Sequence, residues 1–198
     1  MANEPLIDAA LKTELSALYR QHDRHYHGLG HIEALLRLLG ENRSEFADPE
    51  AVEAAIWFHD AIYDSQRADN EAKSAALAAE RLADTFEFAR LSRILAMIEA
   101  TATHALPDLP GKAGRDAALF LDMDLSILGA PADVFDAYEA AIRREYAWVD
   151  EAAWQTGRAA VLRKFADRPA IFHSALFRKR YEAAARANIE RSLSRLNA

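Results

Sequence analysis

Apolar residues recur every three to four positions along nearly the whole chain, and no run of them alternates with polar residues at period two. That spacing supports amphipathic helices and offers no half-buried strand from which a sheet could start. Leu11, Leu15 and Leu18 mark one face of a first helix. Ile32, Leu35, Leu36 and Leu39 mark a second that stops at Gly40. Asp48-Pro49-Glu50 starts a third, with an acidic cap and proline at the first helical position. Its apolar stripe carries Val52, Ala55 and Ile56, with His59 on or near it. Further helices are expected over Asn70 to Phe86, Leu91 to His104, Arg115 to Leu128, Ala130 to about Trp148, Glu151 to Phe165 and Pro169 to Leu196. A loop from Pro107 to Gly114 holds two prolines and two glycines. The expected fold is all-α, a single domain over 1–198.

At 198 residues and 51% hydrophobic, the chain has enough apolar surface for one sizeable core. Its formal charge of −7 argues against binding a nucleic-acid polymer, which calls for a basic face. With no cysteine it has no disulfide, thiolate zinc site or cysteine nucleophile. No uncharged stretch reaches the roughly 18 residues of a membrane span, and no secretory apolar core is present near the start. A soluble, cytoplasmic protein without a membrane partner is expected, and a homodimer is one assembly open to it.

The chemistry concentrates at three places. His59-Asp60 sits in Ala-Ile-Trp-Phe-His-Asp-Ala-Ile-Tyr (Ala55 to Tyr63), an imidazole and a carboxylate behind a run that reads as buried. Upstream, His27 and His31 lie in Tyr-His-Gly-Leu-Gly-His. The glycines place the helix start near Gly30 and His31 in its first turn. Downstream, Asp122 and Asp124 lie in Phe-Leu-Asp-Met-Asp-Leu. Together these offer the mixed nitrogen and oxygen donors that hold a divalent ion with positions left for water.

Each residue also has an ordinary use. A histidine can satisfy a buried carbonyl or sit at a helix C-terminus, as His104 would after Thr103. Asp60 can pair with an arginine, although its apolar flanks favour a stronger partner such as a metal. On a helix Asp122 and Asp124 point about 200° apart, so only one of them can face a given ion. The other is left to orient a histidine or to face solvent. Glu71, after Asp69-Asn70, is either a general base or a first-turn glutamate that suits the helix N-terminus.

The order H…HD…D on a helical scaffold resembles the HD-domain superfamily, and within it a small family of metal-dependent phosphohydrolases. The resemblance spans most of the chain. It runs through Arg24-His25-Tyr26-His27 with His31, Trp57-Phe58-His59-Asp60-Ala61-Ile62-Tyr63, and Asn70-Glu71 with Ser74. It continues through Thr101 with His104, Leu121-Asp122-Met123-Asp124 with Leu125 to Gly129, Arg143 with Glu145-Tyr146, and Ala185-Arg186-Ala187-Asn188. It implies a helical bundle of the HD type with His31, His59, Asp60 and one aspartate of the Asp122/Asp124 pair as metal ligands, Asp124 favoured. After His59-Asp60 the chain has Ala-Ile-Tyr in place of the Gly-Lys of cyclic-dinucleotide hydrolases. It also lacks the Glu-Asp pair of alarmone hydrolases, which counts against both activities.

The function expected from the resemblance is hydrolysis of a small phosphorylated, nucleotide-like metabolite. Imidazole and carboxylate donors suit Mn²⁺, Fe²⁺, Co²⁺, Ni²⁺ or Zn²⁺. Asp60 and Glu71 are the candidate catalytic residues. His27, His104, Arg24 and Arg143 are the candidates for contacting phosphate or supporting the ligands. One alternative is a regulatory module on the same scaffold that binds metal or nucleotide without turnover; another is a helical scaffold or oligomerisation protein whose histidines are all structural.

Overall fold

The structure is a computed structural model and describes residues 7–83 and 87–196. Among these residues every regular element is helical, and no helix is long and apolar enough to cross a membrane. Contacts divide the chain into two compact units, one running to Met123 and the other from Asp124.

In the first unit, α1 (Ala9–Leu18), α2 (Leu29–Glu41), α4 (Asn70–Leu82) and α5 (Phe88–Ala100) each pack against α3 (Pro49–Phe58). The sequence explains why α3 takes the centre. Ala51, Val52, Ala54, Ala55, Ile56, Trp57 and Phe58 are all buried, so the helix is apolar around most of its girth. Asp48 caps it by accepting from the Ala51 N–H, and Pro49 occupies the first turn, where no amide hydrogen is needed. Asp116 of α6 (Gly111–Asp124) accepts from the amides of Ala47 and Asp48 at 2.9 and 2.8 Å, which fixes α6 against the start of α3.

Several boundaries differ from the expected ones. The helix expected to reach Phe86 ends at Leu82, and residues 84–86 lie outside the described part. The next begins at Phe88 and ends at Ala100, leaving His104 in the turn beyond it. The helix expected over Arg115 to Leu128 runs four residues earlier, with a 3₁₀ stretch over Leu125–Gly129. Its glycines are part of the helix. Gly111 adopts φ +60°, and a Cβ on Gly114 would stand 2.2 Å from the Leu109 carbonyl oxygen.

The second unit contains α7 (Ala132–Glu145), α8 (Glu151–Ala166) and α9 (Ala175–Leu196). Here α9 packs along the 3₁₀ stretch and along α8. A Cβ on Gly129 would lie 2.7 Å from Tyr181, so glycine permits the close approach. The Asn188 amide donates to the carbonyls of Leu128 and Ala130, both at 2.9 Å, and closes the end of that stretch. The last helix starts at Ala175 rather than Pro169. Before it, Glu182 accepts from the Ile171 and Phe172 amides, and Arg178 donates to the carbonyls of Phe172 and His173.

Candidate metal centre

His31 is the third residue of α2, and its side chain is buried. His59 caps the C-terminus of α3 in helical conformation, and Asp60 follows in the turn. The His59 Nδ1 lies 2.9 Å from the Ile56 carbonyl oxygen. A carbonyl can only accept, so Nδ1 carries the hydrogen, and in the neutral ring Nε2 presents a lone pair. That Nε2 lies 3.2 Å from Nε2 of His31 and 3.2 Å from Oδ2 of Asp60. The same carboxylate oxygen is 3.9 Å from Nε2 of His31.

Two imidazole nitrogens and a carboxylate oxygen therefore meet in a place with little access to water. Such a meeting is stable if a proton sits on one of the facing Nε2 atoms or if a cation sits among the three groups. The two 3.2 Å separations suit either case, and the 3.9 Å one is longer than a hydrogen bond. Donors at about 2.1 Å from one ion stand about 3.0 Å apart in an octahedral shell and about 3.4 Å apart in a tetrahedral one. The Nδ1–H bond to a backbone carbonyl is also the usual way a ligating imidazole is oriented. Burial pushes the Asp60 carboxyl up, but the charge and hydrogen bond of protonated His59 override it. With His27 and His31 adding to this, Asp60 is held well below the ordinary carboxylate range.

A further carboxylate close to the two imidazoles comes from α6. Asp116, Phe120 and Asp124 recur every four residues and share one face. Asp116 reaches the start of α3, and the Phe120 ring meets the His59 ring edge-on at 5.8 Å. Asp124, the last residue of the helix, is the next position on that face. His31, His59 and Asp124 each offer a ligand atom within 4.8 Å of the other two. Asp122 lies about 200° from Phe120 around the helix and is fully buried. Neither Asp122 nor Asp60 is in that group, although Asp60 lies 3.2 Å from His59.

The remaining sequence candidates fall elsewhere or take other partners. His27 precedes α2, half-buried, with its ring stacked on Tyr63 at 4.3 Å. Tyr26 lies 4.9 Å from the His31 ring and completes an aromatic wall beside it. Arg24, considered for phosphate, is buried and donates to backbone carbonyls. Glu71 stands in the first turn of α4, half-exposed. That turn is tied to the segment after Asp60, because Ser74 bonds the Ile62 backbone and Asn70 bonds that of Asp64. His104 takes φ +51° just past α5 and donates its amide to the Ala100 carbonyl, as a left-handed residue closing a helix does. Arg143 lies in the second unit. It donates to the carbonyls of Tyr146 and Val149, pairs with Glu151, and covers the Trp154 ring.

The residues that the sequence reading missed are Asp116 and Phe120. The four-residue spacing that ends at Asp124 is a signal for Phe120, whereas the amide partners of Asp116 lie 68 and 69 residues away. No family model matches the chain, and no match is found among curated proteins or among solved structures.

Proposed function

We propose that the chain is a metal-dependent phosphohydrolase of the HD type, acting on a small, nucleotide-like phosphorylated metabolite in the cytoplasm. The convergence of Nε2 of His31, Nε2 of His59 and a carboxylate oxygen of Asp60, with Asp124 close by, supports this most strongly. The donor set fits Mn²⁺, Fe²⁺, Co²⁺, Ni²⁺ or Zn²⁺. Such an ion, when bound, supplies a water of lowered pKa and polarises a phosphoryl oxygen.

The chain's own residues do the rest. Ile56 holds the His59 hydrogen on Nδ1 and so keeps Nε2 directed at the site. Burial of both imidazoles excludes competing water and strengthens every charge contact there. Glu71, on the helix turn fastened to the segment after Asp60, is assigned the role of taking the proton from the attacking water. His27 is assigned to the phosphoryl group. A chain of net charge −7 suits a small substrate better than a nucleic-acid polymer.

The test is phosphate release from a panel of mononucleotides, dinucleotides and sugar phosphates with Mn²⁺ supplied. The expected result is metal-dependent release from at least one compound, abolished in His59→Ala and slowed in Glu71→Gln. Metal bound without release from any of them would overturn hydrolysis in favour of a regulatory module that binds without turnover.

A further inference from the structure

Arg24 makes the connection between the two segments that carry the imidazoles and the first carboxylate. Its Nη1 donates to the backbone carbonyls of His27 (3.2 Å) and Asp60, and its Nη2 to that of Ala61 (2.8 Å). Its Nε donates to Oε1 of Gln21 at 3.1 Å. The guanidinium also lies over the Tyr19 ring at 5.2 Å and the Tyr63 ring at 5.5 Å. Tyr63 in turn stacks on His27, and the Tyr19 hydroxyl donates to the Trp57 carbonyl at 3.0 Å. The side chain is only 8% exposed.

We propose that Arg24 is a positioning residue of the metal centre: it fastens the backbone of the His59-Asp60 turn to the segment leading into His31. This rests on the proposal that the cluster binds metal. It differs from the phosphate-contact role that an arginine beside a histidine motif suggests, since four N–H bonds already point at three carbonyls and a side-chain amide. The geometry needs a planar fork. Carbonyls at three positions, across a separation of 36 and 37 residues for the longer two, are met at once by two nitrogens of one rigid group. A lysine ammonium at this site keeps the charge but cannot span the same set. Without the fork, the Asp60 oxygen and the His31 nitrogen lose the connection that sets their spacing.

The test uses Co²⁺ alone as the probe, because its visible absorption reports the number and arrangement of ligands. Wild type, Arg24→Lys and Arg24→Ala are titrated with Co²⁺ and then with inorganic phosphate, and folding is followed by circular dichroism. Losses on the scale of a disturbed outer shell are expected, about 10–100-fold in Co²⁺ affinity, with an altered spectrum in Arg24→Lys. Added guanidinium should restore the wild-type spectrum in Arg24→Ala. A wild-type Co²⁺ affinity and spectrum in Arg24→Lys, with phosphate affinity alone reduced, would overturn the positioning role and make Arg24 a substrate contact. Failure of both variants to fold would overturn a role confined to the site. Absence of Co²⁺ binding by the wild type would instead overturn the metal reading, and this proposal with it.

Discussion

Two buried polar clusters are organised in opposite ways. In the second unit, Arg158 is 8% exposed and donates to Tyr138 and to Glu139, while Ser192 donates to the other Glu139 oxygen at 2.7 Å. A permanent cation faces a carboxylate, and each group has a partner of complementary kind. Burial pulls the Arg158 value down, but Tyr138 and Glu139 more than offset it and leave the guanidinium firmly charged. Burial likewise raises the Tyr138 hydroxyl, against the opposing pull of Arg158. At the His31, His59 and Asp60 cluster the groups that meet are all titratable, and which nitrogen donates depends on where the proton sits. The first arrangement is complete as a structural link. The second depends on what lies between its atoms, a proton or a metal ion.

Substitutions should separate the two. Removing the cation from the brace leaves Glu139 buried without its counter-charge, and Arg158→Ala is expected to cost about 3–5 kcal/mol in urea unfolding. Combining Arg158→Met with Glu139→Leu should recover most of that loss, because neither charge then remains buried. A loss below about 1 kcal/mol in the single variant would erase the contrast. In the other cluster, His59→Ala should lower metal affinity by more than the roughly 100-fold typical of outer-shell changes, with the helical circular dichroism retained. Full metal retention there would remove His59 from the site.

A finer distinction concerns the two aspartates of α6. Asp124→Asn should weaken metal binding well beyond the effect of Asp122→Asn, since Asp124 shares the face of Asp116 and Phe120. Isothermal titration with Mn²⁺ gives the ranking, and the reverse order would move the ligand to Asp122.

The smallest effect expected is in the metal-free protein. Asp60 has a folded value below its ordinary one near 3.9. Its contribution to stability is therefore present above that ordinary value and lost as pH falls through the lower folded value. Unfolding measured from pH 5 downward should show a slope that Asp60→Asn reduces, and an unchanged slope would mean that the imidazoles do not hold this carboxylate.

Much of this was legible in the sequence, for physical reasons that also mark where legibility stopped. The Asp48-Pro49 start of α3 is local chemistry, and it sits where the sequence places it. His31 in the first turn of its helix follows from the glycines before it. The start of α6 was misread because Gly111 and Gly114 suggest a loop, whereas the bare Cα of Gly114 is needed against the Leu109 carbonyl. The 3₁₀ end of that segment depends on Tyr181 and Asn188, far along the chain. Asp116 carries no local sign that it accepts from amides 68 and 69 residues away. For Arg24 the sequence leaves open a phosphate contact or support of the ligands, because its carbonyl partners have no signature in sequence. The choice between Asp122 and Asp124 needed the orientation of α6, which the Phe120 contact with His59 supplies.

The proposed function requires that the imidazole and carboxylate groups hold a metal ion. Diffraction from crystals soaked in Mn²⁺, with data collected for anomalous scattering, tests it most directly. One strong anomalous peak is expected roughly 2.0–2.3 Å from Nε2 of His31, Nε2 of His59, an Asp60 oxygen and an Asp124 oxygen. No peak among these four side chains, with His31 and His59 instead in direct hydrogen-bond contact at saturating Mn²⁺, would contradict it.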